Sequence, residues 1–281
     1  MVDPAFDAMD RRLKEAADGR FRVFGIRRSG QHAVINWLLR NCGRDSHVFL
    51  NSCTMEKSPI RTCGQAEING TPTRKGHFLK ETLEKYLQPN VHPFVLVSYE
   101  AGYPSALHGK GHLTNGFGNS DFDHEILITR RFVNWLPSFI RLMRLMNPWC
   151  PPAALEISHG VLFEIMRYKS HIISAAGSTH SVISYDQWFA DEHYRRSWLA
   201  AFGLPEIDNS HGEVQKYGGG SSFSQCEVPA AELEIDTRWH TLKDDLFARH
   251  FLRLALEDGA FRSALAQFYP EDEDIMRGLL A

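Results

Sequence analysis

The chain has 281 residues, 43% hydrophobic and 23% charged, a composition that suits a globular protein with a sizeable core and excludes a disordered or fibrous chain. Thirty-one Lys and Arg stand against 34 Asp and Glu, a formal charge of -3, so the global field draws the chain neither to nucleic acid nor to an anionic membrane. Any anion site must be local. Residues 1–20 carry charges from Asp3 onward with no apolar stretch, and nowhere does an apolar run approach the roughly 18 residues of a transmembrane segment. Five cysteines (Cys42, Cys53, Cys63, Cys150, Cys226) form no CxxC pair, which predicts a cytoplasmic chain without a disulfide framework or a closed zinc site.

In chain order, residues 4–17 read as an amphipathic helix, 21–26 (FRVFGI) as a short buried strand and 33–39 as the body of a helix. Further strands are predicted at 47–50, 94–99 (FVLVSY), 125–129 (EILIT) and 181–184 (SVIS), each short and apolar on both faces. Helices are predicted over 78–87, 134–146, 153–175 and 187–202, with a helical C-terminus from about His240. This is the alternation of an α/β fold, a central mostly parallel sheet flanked by helices, in one domain over 1–281. Segments 51–76, 101–122 and 203–229 are left as loop insertions, where substrate walls or lids would sit.

The first strand runs into Gly25-Ile-Arg-Arg-Ser-Gly30 and directly into a helix, the G-x-x-x-x-G spacing of a phosphate-cradling loop whose amides and helix N-terminus bind an anion. A nucleoside-triphosphate hydrolase needs Lys and then Ser or Thr after that glycine, for phosphate and Mg²⁺; here Gln31 and His32 follow. Positive charge comes instead from Arg27 and Arg28, beside Ser29 and Gly30. A second segment, EILITRRFVNWLPSFIRLM, ends a strand at Arg130 and opens a helix near Asn134, a good N-cap residue, with Pro137 at its third position and Ser138 in its early turns. Arg130 and Ser138 can thereby converge on one dianion.

The loop resembles the 5′-phosphosulfate loop of the sulfotransferases, with R-S-G matching and Gln31-His32 where a hydroxyl residue is usual. Arg130 and Ser138 stand at the spacing of that family's 3′-phosphate motif; Asn134-Trp135-Leu136 is like its bacterial carbohydrate and small-molecule members, whereas Arg131-Phe132 replaces the usual Asp-Pro. Tyr185-Asp186 after the last strand, followed by a helix closing in Phe-Gly-Leu-Pro, is similar to the stretch where the family's Tyr lines an adenine pocket. Lys216, Gly218, Gly219, Gly220 and Ser221, with Ser222, lie where the family folds a basic Gly-rich loop over the nucleotide. The resemblance covers 21–223, about three quarters of the chain.

It implies a P-loop-like sulfotransferase fold and transfer of a sulfuryl group from 3′-phosphoadenosine-5′-phosphosulfate to a hydroxyl or amine acceptor, a glycan being one candidate, with no metal. Arg28 takes the place of the family's catalytic Lys, as a fixed forked cation rather than a mobile ammonium, and His32 at the helix N-terminus is positioned to share its task. The acceptor must lose a proton to a base at the C-terminal edge of the sheet. Glu100, at the end of FVLVSYE, is the first choice because a strand-end group is fixed in place; His108 and His112 in the following loop are its rivals. A P-loop kinase or NTPase on the same cradle is the rival enzyme class. A catalytically inactive nucleotide-binding module is the alternative outside catalysis.

Overall fold

A computed structural model describes residues 4–55, 57–100, 102, 117–146, 153–214 and 229–281. Among these, seven strands make one sheet: β1 (Arg20–Phe24), β2 (His47–Asn51), β3 (Gln65–Ile68), β4 (Thr71–Thr73), β5 (Phe94–Tyr99), β6 (His124–Thr129) and β7 (Ser181–Ser184). The order is β4-β3-β2-β5-β1-β6-β7, with β2, β5, β1, β6 and β7 parallel and the β3–β4 hairpin antiparallel at one edge. The protein is thus α/β with a mostly parallel sheet and flanking helices.

The period of two along each strand sends Val23, Leu96, Ile126 and Ile128 to one face and Phe24, Val95, Val97 and Leu127 to the other. The first face packs on α2 (Gln31–Arg40), α7 (Tyr185–Ala190) and α8 (Glu192–Ala201); the second packs on α1 (Pro4–Ala16) and α4 (His77–Tyr86). Both faces are covered, which is why the parallel strands read as uninterrupted apolar runs. A third cluster joins α5 (Phe132–Met146), α6 (Ala153–Ala176), α9 (Leu246–Glu257), α10 (Gly259–Ala266) and α11 (Glu271–Leu280). No helix among the described residues is long and apolar enough to cross a membrane.

The structure corrects three expectations. Segment 51–76 is not a plain loop: it holds a short helix α3 (Pro59–Thr62) and the β3–β4 hairpin. The hairpin turns on Asn69 (φ 52) and Gly70 (φ 72), the positive-φ pair that a two-residue turn favours, and Asn69 Oδ1 also accepts from the His47 amide at 2.8 Å. Helix 187–202 divides at Asp191, whose carboxylate accepts from the amides of His193 (2.8 Å) and Tyr194 (3.2 Å) and so starts α8 afresh.

Asn134 is not an N-cap. Helix α5 starts at Phe132, because the buried carboxylate of Asp272 on α11 accepts from the Val133 amide (3.4 Å) and from Arg131 Nε (2.8 Å), so that Pro137 lies inside the helix and forfeits one backbone bond. Asn134 instead uses Oδ1 to accept from the Trp239 amide. The helical C-terminus is three helices behind a 3₁₀ turn (Arg238–Leu242), with Asp245 and Asp258 capping α9 and α10.

Candidate functional site

The strands β1, β5, β6 and β7 deliver their C-terminal ends to one side of the sheet, where β1 lies between its two parallel neighbours β5 and β6. A cavity of about 340 Å³ opens at this edge, within the size range of small-ligand sites and in the position where open α/β sheets place them. Arg27, Arg28, Gly30, Gln31 and His32 line it from the β1–α2 loop and the first turn of α2. Glu100 enters after β5, Arg130 after β6, and Tyr185 with Trp188 and Phe189 from α7.

The loop holds a strained shape. Arg28 has φ 66 and Gly30 φ 84, both in the left-handed region, and a Cβ on Gly30 would lie 2.4 Å from the Tyr185 ring. Gly25 leaves room for the buried Gln31 side chain, whose Oε1 would otherwise stand 2.3 Å from a Cβ there. Gly30 is the N-cap of α2 and has no side chain with which to cap it, so the first amides of the helix and its positive dipole end face the cavity region. Ser29 is fully buried, and its hydroxyl has no hydrogen-bond partner among the described residues.

Arg130 is the centre of the electrostatics. Its Nη1 donates to the Arg28 carbonyl at 2.8 Å, its guanidinium lies 5.2 Å from the Tyr185 ring centroid, and the Tyr168 hydroxyl donates to its own carbonyl. Its Nε and Nη2 are buried with no partner among the described residues. Adjacent Arg131 turns away, bonded to Asp272 by its side chain and to Asp186 Oδ2 by its amide. One residue of the pair faces the cavity; the other ties α5 to α11.

Arg238 is the cation that sequence reasoning missed. It is buried, lines the cavity, and its Nη1 donates to Ser138 Oγ at 2.9 Å. Burial first and the Arg130 charge second push Arg238 down to about 9 and Arg28 down to about 10. Both keep their charge at neutral pH. Among the cavity-lining residues four arginines face two glutamates, Glu100 and Glu213, an excess of two positive charges. Buried like charges raise the energy of the empty site, and an anion with two separated charges relieves it.

The remaining expected residues find distinct places. Ser138 is buried behind Arg238, donating to the Asn134 carbonyl at 3.0 Å and holding the arginine. His32 is held by Asn51: Asn51 Oδ1 also accepts from Ser98 Oγ (2.8 Å), so the His32 Nε2 at 3.0 Å carries the proton. Burial drives the His32 pKa down, which makes it a neutral imidazole and leaves positive charge to the arginines. Ser52 (φ 54) donates to Glu100 Oε2 at 3.1 Å and takes its own backbone support from Ser98. His108, His112, Lys216, Gly218, Gly219, Gly220, Ser221 and Ser222 lie outside the described residues.

No local signal marks Arg238: it sits in a 3₁₀ turn, 100 positions from the serine it touches. Ser52 was equally silent, a polar residue just after a strand. No protein-family model matches this chain, and no curated protein matches it.

Proposed function

We propose that the chain is a sulfotransferase with a P-loop-like fold, moving a sulfuryl group from 3′-phosphoadenosine-5′-phosphosulfate to a hydroxyl or amine acceptor, with glycans among the candidates. The observation that carries the reading is the convergence of Arg28, Arg130 and Arg238, from three distant parts of the chain, on one cavity beside the N-terminus of α2. A donor with anionic groups at its 3′ and 5′ ends uses such a set at both ends. Arg130 and Arg238 take the 3′-phosphate, Arg27, Arg28 and the amides around Ser29 the 5′ end, and Tyr185 the adenine face.

In this mechanism Glu100, oriented by Ser52, removes the acceptor proton as the acceptor oxygen or nitrogen bonds to sulfur. The bridging sulfur–oxygen bond breaks in line, and its electron pair goes to the 5′-phosphate, where Arg28 and the loop amides stabilise the growing charge. A kinase would need a cation and a hydroxyl where Gln31 and His32 stand, and His32 is engaged by Asn51.

Titration calorimetry with adenosine 3′,5′-bisphosphate, in EDTA and in Mg²⁺, tests the binding half of the proposal. Equal affinity in both is expected, while a strict Mg²⁺ requirement or no binding overturns it. An acceptor screen with sulfur-labelled donor then separates the enzyme, which transfers label, from a binding module, which does not.

A further inference from the structure

Helix α6 carries two apolar faces. The inner one, which includes Val161, Ile165, Tyr168 and Ile172, is buried in the cluster shared with α5 and α10. On the other side Leu155, Leu162, Phe163, Met166 and Ile173 fall within an arc of about 100° at helical spacing. They are 79%, 45%, 51%, 54% and 39% exposed. At the 150–250 Å² that a large side chain presents, this is about 500 Å² of apolar surface, with exposed His159 and half-buried Ser170 inside the same arc.

The pattern is symmetric. Positions 155 and 173, and 162 and 166, are equidistant from residue 164. An antiparallel copy of α6 related by a two-fold axis at that point therefore meets it in register, Leu155 against Ile173 of the partner subunit and Leu162 against Met166 of the partner subunit. Phe163 lies one residue from the axis, so the two rings meet at the centre, and the Arg167 guanidinium already covers the Phe163 ring at 4.3 Å. Buried aromatics with arginine at the middle of a patch are the composition of interface hot spots. Glu156 and Arg167 lie on the flank that also holds Phe163, so the same axis turns each exposed carboxylate toward Arg167 of the partner subunit.

Two such stripes supply about 1,000 Å² of apolar contact, close to the lower end of the 1,200–2,000 Å² that a specific interface buries. A membrane-surface helix uses a Lys- and Arg-rich polar face, whereas this stripe is flanked by Glu156, Arg167 and Lys169, the last two already paired with Glu164 and Asp258 of the same chain, on a chain of net charge -3. We propose that α6 is the dimerisation helix of this protein, pairing antiparallel with α6 of a second copy through Leu155, Leu162, Phe163, Met166 and Ile173.

Light scattering on the full chain from about 1 to 100 µM tests this, with a dimer expected in the upper part of that range. The double substitution Leu162→Glu, Phe163→Glu sets four like charges around the axis and raises the dimer dissociation constant at least tenfold, while its far-ultraviolet circular dichroism at about 1 µM, where both proteins are monomeric, matches that of the native chain. Orientation is read with a short bis-maleimide in a background carrying Cys150→Ser and Cys226→Ser, since Cys42, Cys53 and Cys63 are buried. Phe163→Cys cross-links to itself, and Leu155→Cys cross-links only when mixed with Ile173→Cys, its own copies lying about 27 Å apart. A monomer at every concentration overturns the proposal. So does a dimer that survives the double substitution, self-cross-linking of Leu155→Cys, or a monomer that instead floats with phosphatidylcholine vesicles.

Discussion

Replacing Arg130 with Met removes the charge at the middle of the site while keeping most of the side chain's packing volume. Two of its nitrogens, Nε and Nη2, are buried with no partner among the described residues, so a bound phosphate gains up to two charge-assisted hydrogen bonds there. At about 1.5–3 kcal/mol each these amount to about 3–6 kcal/mol, a loss of roughly 10²- to 10⁴-fold in affinity for adenosine 3′,5′-bisphosphate. The unliganded protein responds differently. It loses the bond to the Arg28 carbonyl, worth about 1.5–2 kcal/mol for a charged donor, but is relieved of the repulsion that helps to hold Arg28 and Arg238 down, which offsets much of it. Arg130→Met is therefore expected to unfold in urea within about 1 kcal/mol of the native protein. Calorimetry compares adenosine 3′,5′-bisphosphate with adenosine 5′-phosphate, and the loss should be concentrated in the doubly phosphorylated ligand. Equal losses for both ligands, or a stability loss of about 3 kcal/mol or more with ligand affinity intact, would refute the assignment of Arg130 to the 3′ end.

Glu100→Gln should lower kcat by about 10²-fold or more with donor affinity unchanged or slightly improved, because a negative charge near Arg28 is removed; if activity persists and is lost in His108→Ala, the base lies in the following loop. Gly30→Ala should destabilise the fold by about 2 kcal/mol or more and weaken nucleotide binding, since the new methyl combines φ 84 with a 2.4 Å approach to Tyr185. Gly203→Ala, at φ 65 with nothing within 4 Å, isolates the strain alone at about 1 kcal/mol; equal costs for the two would show that the Tyr185 contact is irrelevant. Asp10 is fully buried, and burial raises its carboxyl from 3.8 to about 7. An acid raised in the folded state stabilises at low pH and loses that contribution as pH climbs through about 7. The stability of Asp10→Asn relative to the native chain should therefore increase from pH 4 to pH 8, by up to about 4 kcal/mol in urea unfolding; a pH-independent difference would show that Asp10 does not titrate in this range.

Local chemistry determined the strands and the loop after β1. Runs such as FVLVSY and EILIT have the length and apolar character of buried parallel strands, and Gly25 and Gly30 mark the tight turn before α2 whatever surrounds them. The hairpin was missed although Asn69-Gly70 carries its turn signal, because its neighbours are polar and its edge strands bury little, so 51–76 reads as a loop. Where α5 begins was not legible, because its first amides are satisfied by Asp272, 139 positions from Val133, and no N-cap residue stands beside them. The same holds for the site. The sequence alone placed Arg28 in the loop after the first strand and Arg130 and Glu100 at strand ends, but only the tertiary structure decided that Arg130 faces the cavity while Arg131 turns to Asp272, that His32 is a neutral imidazole bound to Asn51, and that Arg238 arrives as a third cation held by Ser138. Burial and charge are properties of three-dimensional neighbourhoods: a residue's type fixes which charge it can carry, and the packing of distant segments fixes what that charge meets.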